Sequence, residues 1–315
     1  MNNTYTGAEY WKNYMEGWFG SELIAKWERY VTVERIQSNG EDIQLEVYDT
    51  GDCNKPTLIF AHGIAGYARL LTPFLIPLRE KGYNIIAPDL QGFGYNHGKK
   101  GAFDWNSHLV NLHDSVEYAK GRFSGKVILG GASMGGPLAY AAATRYQNVD
   151  ALACWCLWDF NDREFMLQET TTKKFTYILL PILRLLEVLV GNIRIKTYRL
   201  VSYDTLTDSA EMNEMIKKDP QAGTNITLKG ATSLVLHSKP DVPHPYFTLP
   251  TLVVQPGNDL MTPSQYTEKT FQILGSEIKR LVILDGCAHF PTHKKYYLQW
   301  ANEVDQFISH YVAAH

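Results

Sequence analysis

Lys126-Val-Ile-Leu-Gly-Gly-Ala-Ser-Met-Gly-Gly-Pro-Leu-Ala-Tyr140 is the stretch whose reading decides the fold. Val127 to Leu129 are β-favouring and apolar, Gly130 to Gly136 form a Gly-rich turn, and Leu138 to Thr144 are small, helix-favouring residues. Strand, tight turn and helix therefore follow one another, with Ser133 at the apex of a G-x-S-x-G pattern made with Gly131 and Gly135. A serine on so sharp a turn has strained backbone angles and leaves little room two residues to either side, which glycine supplies. The helix that starts just after Ser133 points its first N–H groups and its positive dipole end at the place where an oxyanion would form.

On the N-terminal side of this turn, Tyr30 to Ile36 and Ile43 to Tyr48 alternate apolar and polar residues around Ser38-Asn39-Gly40-Glu41, a hairpin signal. Thr57 to Ala61 and Tyr83 to Ala87 are short continuous apolar runs, with helical stretches expected over Leu70 to Lys81 and Trp105 to Ala119. Continuous apolar strands separated by helices indicate a parallel sheet covered on both faces. Ala151 to Trp158 reads as a further buried strand, and Cys154 and Cys156, two apart on it, are expected to share a face. From about Phe160 to Tyr246 the alternation stops. That stretch holds an apolar helical pattern, Phe175 to Val190, whose Pro181, Arg184 and Glu187 argue against a membrane span, and a second one near Asp208 to Lys217. Alternation resumes with Thr251 to Gln255 and Arg280 to Leu284, and Leu298 to Val312 reads as a closing helix. Near the N-terminus, Trp11, Tyr14, Met15, Trp18 and Phe19 have helical spacing over residues 8–29 and predict a helix that packs its aromatic face on the domain.

Three segments follow: 1–159 as the first part of an α/β core, 160–246 as a helical cap, and 247–315 as the second part of the core. With 315 residues and an apolar fraction of 45% the chain has ample material for a core. Thirty basic against 33 acidic residues, a net charge of −3 and no basic run with interleaved aromatics speak against nucleic acid as a partner. No secretory leader or uncharged membrane-length stretch is legible, and the four scattered cysteines, Cys53, Cys154, Cys156 and Cys287, read as reduced thiols. The expectation is a cytoplasmic protein without stable membrane insertion.

In open parallel sheets the reactive groups gather beyond the carboxyl ends of the strands. After Ser133, the exit of Thr251 to Gln255 gives Pro256-Gly257-Asn258-Asp259, and the exit of Arg280 to Leu284 gives Asp285-Gly286-Cys287-Ala288-His289. These supply a nucleophile, an acid and a base in the chain order Ser, Asp, His. A serine hydroxyl becomes a useful nucleophile when an imidazole takes its proton, and a carboxylate fixes that imidazole's tautomer. Asp285 is a competing acid, set aside for its closeness to His289 along the chain. Pro291 breaks any helical presentation of His289 with His293, so no metal is expected, and no cofactor is called for.

With these motifs in order, the chain resembles the α/β-hydrolase superfamily, and within it the serine aminopeptidase and monoacylglycerol-lipase (lysophospholipase-like) branch. The residues that carry the resemblance are His62-Gly63, Asp89 to Gly94, Gly131 to Gly136, Asp259, and Gly286 to His289. It implies a mostly parallel eight-stranded sheet with helices on both faces and a helical cap inserted after the sixth strand. It also implies Ser133 as nucleophile, Asp259 as acid and His289 as base, with the backbone N–H groups of Ile64 and Met134 as the oxyanion hole. Two positions depart from the branch: Ala132 stands where His or Tyr is usual, and Asn96 closes Gly92-Phe93-Gly94-Tyr95-Asn96, placing a bulkier residue near the active-site mouth. His62 is read as a brace for the oxyanion loop.

The expected activity is hydrolysis of a carboxylic ester through an acyl-enzyme, on a small-molecule ester that is apolar or bulky. Phe175, Leu179 and Leu183 of the apolar cap helix are the candidate acyl-binding residues. Opening of a macrocyclic lactone uses the same carbonyl chemistry. Aminopeptidase or amidase activity and a non-catalytic binding protein on the same fold are the alternatives.

Overall fold

The structure, a computed structural model, describes residues 8–162, 164, 185 and 187–312. Its strands are, in chain order, β1 (Val31–Ser38), β2 (Glu41–Tyr48), β3 (Thr57–Ala61), β4 (Asn84–Pro88), β5 (Val127–Ala132), β6 (Ala151–Trp155), β7 (Arg194–Lys196), β8 (Asn225–Thr227), β9 (Thr251–Pro256) and β10 (Lys279–Leu284). Eight of them form one sheet in the order β1-β2-β4-β3-β5-β6-β9-β10. β2 runs antiparallel to both its neighbours, and every pairing from β4 to β10 is parallel.

Alternation along each central strand divides the core in two. Leu58, Phe60, Ile85, Ala87, Ala153, Trp155, Leu252 and Val254 face one layer, which holds the N-terminal helices, α3 (Thr72–Glu80) and the C-terminal helix Lys294–Tyr311. Ile59, Ala61, Ile86, Leu129, Leu152, Cys154 and Val253 face the other, which holds α4 (Trp105–Arg122) and α5 (Gly135–Tyr146). Strands buried on both faces are why these runs are mostly apolar and show no polar alternation.

Several elements differ from the sequence reading. The N-terminal helix is broken into α1 (Ala8–Tyr14), a π-helical turn (Met15–Phe19) and α2 (Ser21–Tyr30), because Gly20 takes φ 88° and ends the first segment. Its aromatic face is nevertheless buried, with Trp11 and Tyr14 closed to solvent. Between β6 and β9 the chain leaves the sheet; the part described there holds helices Ala210–Ile216 and Leu228–Leu236 and also a small antiparallel ribbon of β7 and β8. Most of the apolar helix expected over Phe175 to Val190, with Phe175, Leu179 and Leu183, lies outside the described residues.

One ion pair ties the N-terminal helices to the sheet. Arg69 Nε donates to Glu46 Oε1 at 2.7 Å, both side chains fully buried, and Trp27 Nε1 donates to Glu46 Oε2 at 2.7 Å. The guanidinium lies over the rings of Trp27 and Tyr95, 4.3 and 4.4 Å from their centroids. Burial pushes the Glu46 carboxyl up, and the Arg69 charge and Trp27 hydrogen bond pull it back. Removing one partner of such a pair strands the other charge. Arg69→Met is therefore expected to cost about 3–5 kcal/mol, read as a fall in the midpoint of urea unfolding, whereas an exposed ion pair such as Lys217–Asp204 should cost under about 1 kcal/mol.

Candidate active site

At the end of β5 the chain turns into α5 with Ser133 at φ 57°, in the left-handed region. Ser133 N–H donates to Trp155 O at 3.0 Å, and Gly136 N–H donates to Ser133 O at 2.9 Å, so the strained residue is held from both sides. A Cβ on Gly131 would stand 2.5 Å from the backbone of Gly135, and a Cβ on Gly135 would stand 2.4 Å from Ala61 O. Strand, turn and helix are in backbone contact at the two glycine positions.

The candidate acid and base, Asp259 and His289, come from the two neighbouring parallel strands. Beyond β9, Gly257 N–H donates to Leu284 O and Asn258 N–H to Cys287 O, both at 2.8 Å, which stitches the Asp259 loop to the His289 loop. Asp259 Oδ1 accepts from the N–H groups of Met261 and Thr262 at 2.9 and 2.7 Å. Its Oδ2 stands 2.7 Å from His289 Nδ1. Trp155 Nε1 holds the His289 carbonyl at 2.9 Å. The other ring nitrogen, Nε2, is buried and has no hydrogen-bond partner among the described residues. Asp285, the competing acid, is exposed, and its carbonyl accepts from Tyr296.

His289, Ser133, Ala132 and Ile64 line one cavity. Met134 does not; its side chain is buried in the α4–α5 layer, which leaves only its backbone at the turn. The Ile64 loop is built tightly against the serine: a Cβ on Gly63 would fall 2.7 Å from Ser133 Cβ and 3.1 Å from its Oγ. His62 braces this loop. Its Nε2 accepts from Leu90 N–H at 3.0 Å, so Nδ1 carries the proton and donates to Gly63 O at 2.8 Å. Asp89 braces the same loop from below, accepting from Ala68 N–H and Tyr95 N–H, both at 2.7 Å.

Several residues missed by the sequence reading complete the cavity. Leu70, Leu71 and Trp155 come from the sheet side, and Tyr203, Leu206 and Ile216 from the segment between β6 and β9. Asn96 is not at the mouth. It is buried, donates to Asp89 O and Leu90 O, and accepts from Gln44 N–H, so it fastens the β4 exit to β2. Cys154 and Cys156 do not share a face: Cys154 packs with α5, whereas Cys156, at φ 69°, turns its thiol to Asp259 Oδ2 at 3.6 Å. All four cysteines are free.

Cys156, Asp259 and His289 place their donor atoms within 4.8 Å of one another. The 2.7 Å between Asp259 Oδ2 and His289 Nδ1 is a hydrogen-bond length, shorter than the roughly 3.3 Å that separates two ligands of a tetrahedral zinc ion, so the set is hydrogen-bonded as it stands. Among the described residues no helix is long and apolar enough to cross a membrane.

A mostly parallel sheet with a left-handed serine at the turn after β5 and a buried carboxylate–imidazole pair beyond its last two strands defines an α/β hydrolase. The family described as "Serine aminopeptidase, S33" matches residues 52–294, and the chain belongs to it. In sequence, the chain is 31% identical over 110 residues to a 2-hydroxy-6-oxo-2,4-heptadienoate hydrolase of Pseudomonas putida, a match spanning 33% of this chain and 37% of that protein. In structure, a carboxyl esterase of Bacillus coagulans has a TM-score of 0.71 at 15% identity, covering 89% of this chain and 98% of that one. A soluble variant of the Saccharomyces cerevisiae monoglyceride lipase has a TM-score of 0.67 at 14% identity, covering 89% and 96%. At these identities the structural likeness is one of fold.

The buried imidazoles set a pH dependence of stability. Burial lowers His62 to about 4, and burial also lowers His108, whose ring stacks on Phe103, to about 3. The unfolded chain takes up these protons near pH 6.5 and the folded chain does not, so protonation favours unfolding and stability falls as pH drops from 6.5 toward 4. His62 accounts for on the order of 3 kcal/mol of that fall. Urea unfolding midpoints measured from pH 7 to pH 4 should fall steeply for the native sequence and less steeply for His62→Asn.

Proposed function

We propose that the protein is a serine hydrolase of carboxylic esters that works through an acyl-enzyme on Ser133. The observation that carries this reading is the buried Asp259–His289 pair, whose uncommitted Nε2 belongs to a residue lining the same cavity as the left-handed Ser133. Asp259, held by two backbone N–H groups on its far oxygen, fixes His289 with its proton on Nδ1 and its lone pair on Nε2. His289 takes the Ser133 proton as Oγ attacks the ester carbonyl, and the tetrahedral oxyanion is held by the N–H groups of Ile64 and Met134. Each such donor is worth about 3 kcal/mol in the transition state. The imidazolium then protonates the departing alkoxide, and water attacks the acyl-enzyme with His289 again as base. Oγ and Nε2 are not hydrogen-bonded in the free protein, and catalytic contacts of this kind often tighten only with substrate in place.

The described part of the segment between β6 and β9 acts as a cap on this cavity, and Val201, Tyr203, Leu206 and Ile216 contribute to the wall. The described lining is mostly apolar and includes no carboxylate, which favours an apolar ester over a peptide bearing a free amino group. The acidic residues at the entrance of the segment are engaged elsewhere, Asp162 with Lys269 at 2.7 Å and Asp159 near His244 at 4.0 Å.

Purified protein should hydrolyse short and long p-nitrophenyl esters and a monoacylglycerol, with a macrocyclic lactone and an aminoacyl-anilide as the contrasting substrates. Ser133→Ala and His289→Ala should each lower turnover by about three to six powers of ten without lowering the unfolding midpoint. Full esterase activity in Ser133→Ala would overturn the assignment, and activity confined to the anilide would replace the ester by an amide.

A further inference from the structure

The acid of the proposed triad has a fourth donor that the hydrolase reading does not use. Asp259 is buried, and three of its contacts are accounted for: the Met261 and Thr262 N–H groups on Oδ1 and His289 Nδ1 on Oδ2. The remaining one is the Cys156 thiol, which donates to Oδ2, the same oxygen that holds the imidazole, at 3.6 Å. Sulfur is large, so this separation is an ordinary hydrogen-bond length for a thiol.

The backbone explains why a side chain is there at all. Cys156 follows the last residue of β6 at φ 69°, a conformation in which glycine is the ordinary occupant and most other residues are strained. Its N–H is pinned to Val254 O at 3.0 Å, and its carbonyl lies so close over α5 that a Cβ on Gly136 would stand 2.2 Å from it. A left-handed turn on strand β6, clamped between β9 and α5, is what swings this side chain away from the face that Cys154 occupies and onto Asp259. Backbone strain retained at a residue whose side chain touches the proposed acid points to use. The neighbouring thiol, Cys287, has its sulfur at the Ala288 carbonyl, 3.4 Å away, and makes no hydrogen bond to the carboxylate. Burial and then the Asp259 charge push the Cys156 thiol well above its ordinary value, so it stays a donor.

We infer that Cys156 is a positioning residue: its S–H fixes the plane of the Asp259 carboxylate against His289 Nδ1 and withdraws part of the charge that the carboxylate presents to the imidazole. The inference rests on the Ser133 hydrolase reading. Without the donor, Oδ2 holds a proton on the imidazole more strongly and holds its direction less well. Charge and direction therefore change together, and the two effects have different readouts.

The test is the pH profile of kcat/KM on a p-nitrophenyl ester for the full chain and two variants. Cys156→Ala should lower kcat/KM about three- to thirty-fold and move the acidic limb up by about half a pH unit, the equivalent of one weak hydrogen bond. Cys156→Ser, which keeps a donor, should restore most of the rate and leave the limb at or below its native position. Equal shifts in both variants, or no shift in Cys156→Ala, would overturn the inference and leave Cys156 as packing. Native activity that survives Ser133→Ala would instead overturn the hydrolase reading beneath it. Should Cys156→Ala fail to fold, infrared spectra of the native protein against Cys156→Ser serve: a red-shifted S–H stretching band absent from the variant is expected, and a band at the position of a free thiol contradicts the contact.

Discussion

The site depends on how little space separates β5 from α5. With Ser133 at φ 57° between Gly131 and Gly135, the turn brings helix backbone within van der Waals contact of strand backbone, and of β3 beside it. That approach puts the start of α5 and the Ile64 loop on either side of the serine, and it forces glycine at Gly63 as well. The strain of a left-handed serine is tolerated because its N–H donates to Trp155 O and its carbonyl accepts from Gly136 N–H, holding the residue on both sides.

The second constraint is the parallel register of β9 and β10. Because their exits are adjacent, Gly257 and Asn258 bond directly to Leu284 and Cys287, and Asp259 reaches His289 without a long loop between them. His62 and Asp89 do the same for the Ile64 loop, each buried and each committed to backbone groups. Farther out, the buried Arg69–Glu46 pair and the aromatic rings around it fasten the N-terminal helices to the sheet. Tyr67 lines the cavity and donates to Asp219 at 2.9 Å, and Tyr14 donates to the same carboxylate at 3.1 Å, which joins α1, the Ile64 loop and the segment between β6 and β9.

What was legible in the sequence is what local rules govern. Strand β3 falls where its apolar run places it, and β9 extends its run by one residue, because a strand buried on both faces is mostly apolar. The order Ser133, Asp259, His289 follows from the strand exits, and the structure brings Asp259 and His289 into contact. The rest depends on partners distant in the chain. Cys156 lies on the face opposite Cys154 because of one left-handed residue whose conformation is fixed by β9 and α5. Asn96 is claimed by Gln44 and the Asp89 loop, Arg69 by Glu46 of β2, and the pocket wall by Tyr203 and Leu206, whose polar neighbours hid them. Gly20, an ordinary residue in the periodicity, breaks the N-terminal helix by its backbone angle.

The central claim is that Ser133 is a nucleophile made reactive by its surroundings, and covalent labelling addresses it most directly. Treating the folded protein with a fluorophosphonate and mapping the adduct by peptide mass spectrometry should give one label per chain, on Ser133, and the label should be strongly slowed in His289→Ala. A label on another residue, or none in a preparation that hydrolyses esters, would contradict the account.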